Sequence, residues 1–258
     1  MIIDVHCHDW IGPEPEDVME RLSGCIAAAE SHSIRWMVII GNVLRFGVRA
    51  RPEQIRTIND ATIERVRVFA DRMIGFCFIN PVLDPGFIRE EIDRCVCDHG
   101  LCGIKLEIDL NARDERMSTV MEKAAEYDIP LLHHAWYVTG GGQEFSSEPH
   151  DIAVLAGRYP DVRIIMAHLS GCGMRGVQDI AACENVWVDT SGGQPVAGMV
   201  EYAVRELGSD RILYGSDVPI RDFSAQLGRI FGADIRRTDR EKILWKNAAA
   251  LLRLGGKP

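Results

Sequence analysis

Residues 2–8 read Ile2-Ile-Asp-Val-His-Cys-His8, an apolar strand that ends in two histidines one residue apart. Successive side chains on a strand point to opposite faces, so His6 and His8 project together while Cys7 points away. Two imidazoles on one face of a strand end suggest a metal.

The same unit, a short β-rich run followed by a longer helical pattern, recurs along the chain. Strands are expected at 2–6, 36–40, 73–79, 102–106, 130–134, 163–168, 186–190 and 212–216. Helical patterns fall near 14–31, 52–71, 86–98, 114–127, 149–159, 174–183, 196–207 and 223–232, with a last helix over 239–254. Arg35-Trp-Met-Val-Ile-Ile40 and Val162-Arg-Ile-Ile-Met-Ala167 are apolar on both faces, which indicates a parallel sheet covered on both sides. Such units build an open doubly wound sheet or a closed barrel, and eight of them favour a (β/α)8 TIM barrel with an extra C-terminal helix. The 258 residues match the roughly 250 that a barrel needs. No linker divides them, so residues 1–258 are read as one domain.

A barrel carries its active site at the C-terminal ends of its strands. Here those ends bear His6 and His8, Lys105, His133 with His134, His168, Asp189 and Asp217. Five of the eight histidines lie at these ends, while His32, His99 and His150 fall in helical or loop stretches. Imidazole nitrogen with carboxylate oxygen suits zinc, or manganese or iron, and a catalytic site keeps one position open for water. The ion makes that water a hydroxide near neutral pH, and Asp217 is the candidate to take and return the proton. A second cluster, Cys95, Cys97, His99 and Cys102, offers either a structural zinc or the core face of a helix.

The composition is that of an ordinary globular chain, 47% hydrophobic and 26% charged. Its net charge of −9 is spread along the sequence and argues against nucleic acid as a partner. No apolar run is long enough for a membrane span, and the start lacks a basic signal-peptide pattern, so a cytoplasmic protein is expected. The eight cysteines sit mostly in apolar runs, as buried free thiols do in a reducing compartment. The expected partner is a small-molecule substrate; nothing in the sequence marks or excludes a homo-oligomer.

Asp4-Val-His-Cys-His8, Leu131-Leu-His-His-Ala135, Met166-Ala-His-Leu-Ser-Gly171 and Arg211-Ile-Leu-Tyr-Gly-Ser-Asp-Val-Pro219 together resemble the amidohydrolase superfamily. The resemblance is to its amidohydrolase-related (amidohydrolase 2) branch of TIM-barrel metal-dependent hydrolases and decarboxylases, and it extends to Asn247-Ala-Ala-Ala-Leu-Leu252. It implies metal binding by His6, His8, His134 and Asp217, with His168 at the substrate or acting as an acid/base. His133 and His134 face opposite ways, and the family's apolar-His-small pattern selects His134 as the ligand. In some relatives the lysine at the place of Lys105 is carbamylated and bridges two ions. The branch implied here is mononuclear, with Lys105 a free amine, so one ion is favoured over two. Glu107 stands where a histidine is often found.

Metal-activated hydrolysis of an amide, lactone or related carbonyl bond in a small, carboxylate-bearing molecule is the leading expectation. The alternative is a non-oxidative decarboxylase of an aromatic or unsaturated carboxylic acid. A non-catalytic metal-binding barrel is the reading from another class. Rim residues should choose the substrate. Trp10 and Trp136 are candidate pocket walls, Arg175 and Arg221 candidate carboxylate clamps, and Arg45 and Arg49 weaker ones. Gly140-Gly-Gly142 suggests a mobile segment, and Ser191-Gly-Gly193 permits close backbone approach to a ligand.

Overall fold

In the computed structural model, which describes residues 1–137, 145–193 and 196–254, parallel strands alternate with helices from end to end. The strands are β1 (Ile2–Cys7), β2 (Ile34–Ile39), β3 (Met73–Gly75), β4 (Cys77–Phe78), β5 (Ile104–Leu106), β6 (Leu131–His133), β7 (Ile164–Met166), β8 (Val186–Asp189) and β9 (Ile212–Leu213). Regular pairing forms two sheets, β1-β2-β3 and β4 through β9 in sequence order.

Single backbone hydrogen bonds span both seams between these sheets. The run expected at 73–79 breaks at Phe76, where the partner changes. The Phe76 N–H still donates to Ile39 of β2 at 2.9 Å, whereas the Cys77 N–H donates to Gly103 beside β5 at 2.9 Å. The buried Phe76 ring lies over Gly103, where a Cβ would come within 2.4 Å of it. At the other seam, Val5 donates to Tyr214 at 3.0 Å, Asp217 to His6 at 2.8 Å and His8 to Val218 at 2.8 Å. The eight expected strand positions thus follow one another in a TIM-barrel arrangement, although the regular ladder is not an unbroken ring.

Ile3, Val5, Val38, Ile40, Phe76, Leu132, Ile165, Ala167 and Leu213 form one buried cluster, the barrel interior. Their strand neighbours Ile2, Ile39, Leu131 and Ile164 join the larger cluster under the helices. This alternation buries both faces of the sheet. The outer helices are α1 (Val18–Ser31), α2 (Pro52–Val68), α3 (Pro85–Asp93), α4 (Ser118–Glu126), α5 (Pro149–Arg158), α6 (Leu169–Asp179), α7 (Met199–Leu207) and α8 (Phe223–Phe231). The last helix consists of α9 (Arg237–Glu241), a π turn and α10 (Asn247–Leu251); its Ala248, Leu251 and Leu252 pack into the interior cluster. Among the described residues, no helix is long and apolar enough to cross a membrane.

Two expectations change. Helix α6 is broken by a kink at Gly173 (φ 64°, ψ −169°), so the helix expected from Met174 is preceded by an additional helical stretch that starts at Leu169, directly after the left-handed His168 (φ 71°, ψ 62°). The cysteine cluster disperses: α3 passes into a π turn and ends before His99, so the helical face never reaches Cys102. Cys95 is buried in the core and Cys97 is exposed beside Tyr127. All eight thiols are free, and no metal-competent group forms there among the described residues.

Candidate active site

Between Asp4 and Cys7 the register of β1 against β2 shifts, so Val5 fills the interior, Cys7 packs outward, and His6 and His8 turn toward the mouth. His6 Nδ1 lies 2.8 Å from Asp189 Oδ2, and His8 Nδ1 lies 2.9 Å from the Gly41 carbonyl oxygen. Gly41 permits this approach through its positive φ of 76°; a Cβ there would meet Thr62 at 2.8 Å. With both Nδ1 atoms donating, both Nε2 lone pairs are left for the mouth.

There they meet Asp217, whose Oδ1 is 3.6 Å from His6 Nε2 and 3.5 Å from His8 Nε2. Among the described residues, that buried oxygen has no hydrogen bond. Two imidazole nitrogens and an orphaned carboxylate oxygen, all within 4.8 Å of one another, fit a divalent ion such as zinc, manganese or iron. Burial pushes the Asp217 carboxyl up, but His8, His6 and Lys105 outweigh it and hold it below its ordinary value. Asp217 also has a positive φ of 65°. Asp4 ties the two ligand segments together, its Oδ1 accepting from the His6 N–H at 3.1 Å and the Ser216 N–H at 2.9 Å.

His134 joins a second chain of contacts. Its Nδ1 is 2.9 Å from Glu107 Oε1 and 3.2 Å from His168 Nε2, and Glu107 Oε2 is 2.9 Å from Lys105 Nζ. His134 therefore stands beside the His6, His8 and Asp217 group, outside its 4.8 Å cluster. His133 is buried on the other face, its Nδ1 donating to the His134 carbonyl at 2.7 Å. Lys105 is fully buried against Glu107. Burial raises the Glu107 carboxyl, yet Lys105 and His134 hold it well below the usual range. A carbamate on Lys105 would set two anions together, so this pairing favours a free ammonium.

His168 Nδ1 is 2.9 Å from Ser191 Oγ, and its ring centre lies 4.9 Å from that of His6 and 4.8 Å from that of His134. Burial, with the His134 and His6 charges, holds its pKa well below the usual histidine value. Its N–H donates to Asp189 Oδ1 at 3.1 Å. Trp136 lies 5.5 Å from His168, ring to ring, and packs over Gly171, where a Cβ would come within 2.3 Å of the indole.

Other rim candidates are placed elsewhere. Trp10 donates to the Pro13 carbonyl at 2.9 Å under the Arg21 guanidinium. Arg175 is exposed over Tyr137, and Arg45 pairs with Glu14. Arg49 lies over Phe145. Arg221 is exposed, touching the site through its backbone N–H to the Asp217 carbonyl. Gly140 to Gly142 lie outside the described residues. One residue that shapes the site was not singled out from the sequence. Arg229, half-buried, donates to Ser170 Oγ and to the carbonyls of Thr190, Gly192 and Gly193, fixing the loop that carries Ser191. Asp189 was visible only as a polar strand end, without its partners.

The family model described as Amidohydrolase matches residues 3–254. Gamma-resorcylate decarboxylase of Polaromonas sp. (strain JS666 / ATCC BAA-500) is 25% identical over 296 residues, covering 92% of this chain and 88% of that one. The enzyme of the same name from Rhodococcus jostii (strain RHA1) is 26% identical over 285 residues, covering 87% and 85%. Among solved structures, 2,6-dihydroxybenzoate decarboxylase from Rhizobium superposes with a TM-score of 0.76 at 20% identity, covering 99% and 100%. A dihydroxybenzoic acid decarboxylase from Polaromonas sp. JS666 with bound manganese superposes with a TM-score of 0.74 at 21% identity, covering 98% of each chain.

These decarboxylases overturn the expected hydrolysis and favour its alternative. The physical reason for the error is that one ligand set can hold an ion for either reaction, so motifs that specify ligands leave the fate of the substrate open. Nothing in the comparisons supports zinc over manganese.

Proposed function

The chain belongs to the amidohydrolase family, and from that premise we propose that it is a metal-dependent, non-oxidative decarboxylase of an aromatic carboxylic acid of the hydroxybenzoate class. The observation that carries this reading is the match to gamma-resorcylate decarboxylase over 92% of the chain. We assign His6, His8 and Asp217, with His134 from across the mouth, to a single divalent ion, manganese or zinc. A divalent ion there would anchor and polarise the oxygen substituents of the substrate.

The chemistry exchanges a carboxyl group for a proton. The ring-to-carboxyl bond breaks, carbon dioxide leaves, and the ring carbon receives a proton with no net uptake of water. Asp217 is the group we assign to carry that proton, since its carboxyl lies at the mouth and is shielded from bulk water. His168, held neutral and fixed by Ser191, orients the substrate from beside His6 and His134. Trp136 gives the planar ring a wall. A non-catalytic barrel fits less well, because both His168 and Asp217 are retained at the mouth. The free thiols suit a cytoplasmic enzyme.

The test is turnover of a hydroxybenzoate panel in deuterium oxide by metal-loaded protein, followed by carbon dioxide release and NMR. Carbon dioxide with one deuterium at the vacated carbon is expected. A product that has gained water, or no release from any member, would sink the reading.

A further inference from the structure

Lys105, Glu107 and Asp109 occupy alternate positions along β5 and the turn that leaves it for the mouth. The first two neutralise each other, with Glu107 also bonded to His134. Asp109 is different. It is 5% exposed, and among the described residues both its carboxyl oxygens are buried without a hydrogen-bond partner. Glu107 and Lys105, two members of the chain of contacts that runs through His134 to His168, both act on its carboxyl.

A buried polar group without a partner is costly, and native proteins leave few of them, so each calls for an explanation. Among the described residues, no ion pair accounts for this one. Leu110, the next residue, joins the core cluster under the helices, while the Asp109 carboxyl feels both Lys105 and Glu107. We propose that Asp109 is a specificity residue of the substrate pocket, donating a hydrogen bond to an oxygen substituent of an aromatic acid bound at the mouth.

Two further facts agree. Burial, with repulsion from Glu107, pushes Asp109 up to about 8 against the pull of Lys105, so the carboxyl carries a proton to donate at neutral pH. Lys105, the other cation in this part of the mouth, is already committed to Glu107, so a neutral donor is what remains for a phenolic or carboxylate oxygen. The inference rests on the decarboxylase reading for the class of ligand and deepens it by naming a residue that reads the ring substituents.

Calorimetric titration of manganese-loaded protein with 2,6-dihydroxybenzoate and with 2-nitroresorcinol tests it, using wild type, Asp109→Ala and Asp109→Asn. Asparagine keeps a donor of the same shape, so its affinity should stay within about twofold of wild type, while alanine should lose about tenfold, the worth of one such bond. Equal affinity for alanine and wild type, an equal loss in both variants, or no binding of either probe to wild type would overturn the assignment. Melting curves and metal content of the variants separate lost contact from lost folding. Carbon dioxide release by wild type is read in parallel: tight binding without turnover would refute the reaction and leave Asp109 in place.

Discussion

Asp189 Oδ2 sits 2.8 Å from His6 Nδ1, while Oδ1 of the same carboxylate takes the His168 and Ser191 N–H groups. One buried acid thus orients a proposed ligand and a proposed substrate-binding histidine. Burial would raise it, but His6, His168 and Ser191 prevail and hold it down to about 2, so it remains an acceptor. Asp189→Asn removes the charge that fixes the His6 tautomer. Metal affinity should fall ten- to a hundredfold, read by chelator competition. Unchanged affinity would show that Asp189 does not orient the ligand.

Removal of the ion gives a second prediction. Chelator dialysis should abolish carbon dioxide release, and manganese should restore it with one ion per chain by mass spectrometry. Manganese at a hundred times its dissociation constant should stabilise the fold by about 2.7 kcal/mol. At roughly 2–4 °C per kcal/mol, the melting midpoint should rise visibly. A midpoint indifferent to manganese, zinc and iron alike would refute a metal at His6, His8 and Asp217.

The Lys105–Glu107 pair gives a third. Lys105→Met leaves Glu107 buried and without its cation, which should cost about 3–5 kcal/mol. Adding Glu107→Gln should recover much of the loss, since glutamine still accepts from His134. Metal content should stay at one ion per chain throughout. Two ions in wild type, falling in the single variant, would restore the carbamylated bridge.

Gly171→Ala tests the aromatic wall. The new methyl would lie 2.3 Å from Trp136, so the indole must move, at about 1–3 kcal/mol. Turnover should fall with it, and Gly171→Ala combined with Trp136→Ala should melt no lower than Trp136→Ala alone. A further drop in the double variant would mean that the methyl strains something other than the indole.

What the sequence revealed divides along a physical line. His6, His8, His168 and Asp217 were legible because each ends a strand, and strand direction delivers such residues to one rim. The break at Phe76 was not, since it depends on which neighbour offers a carbonyl at that height. Asp189 was legible as a strand end but its partners were not, while Asp4 and Arg229 act on backbone and side-chain atoms brought near only by closure of the fold, so no local pattern announces their roles. Trp10 and Arg175 lie just past strands that bear site residues, yet their side chains settle on Pro13 and Tyr137. Hydrolysis and decarboxylation stood as alternatives in the sequence for a chemical reason, because ligands report the ion and not the bond that breaks.

Asp109 also makes a prediction about stability that needs no ligand. Its folded pKa, raised to about 8 by burial and by Glu107 against the opposing Lys105, exceeds the ordinary value of 3.8. Between those values the folded protein holds a proton that the unfolded chain has released. The contribution is therefore complete below about pH 4 and is lost as pH rises, by about 1.4 kcal/mol per unit until the folded group itself ionises. Asp109→Asn cannot titrate, so its stability relative to wild type should climb steadily from pH 5 to pH 8 and level off above. Denaturant unfolding of both proteins across that range measures the difference directly. A difference that does not change with pH would mean that Asp109 is solvated or already ionised in the folded protein, and its role as a neutral donor would fall with it.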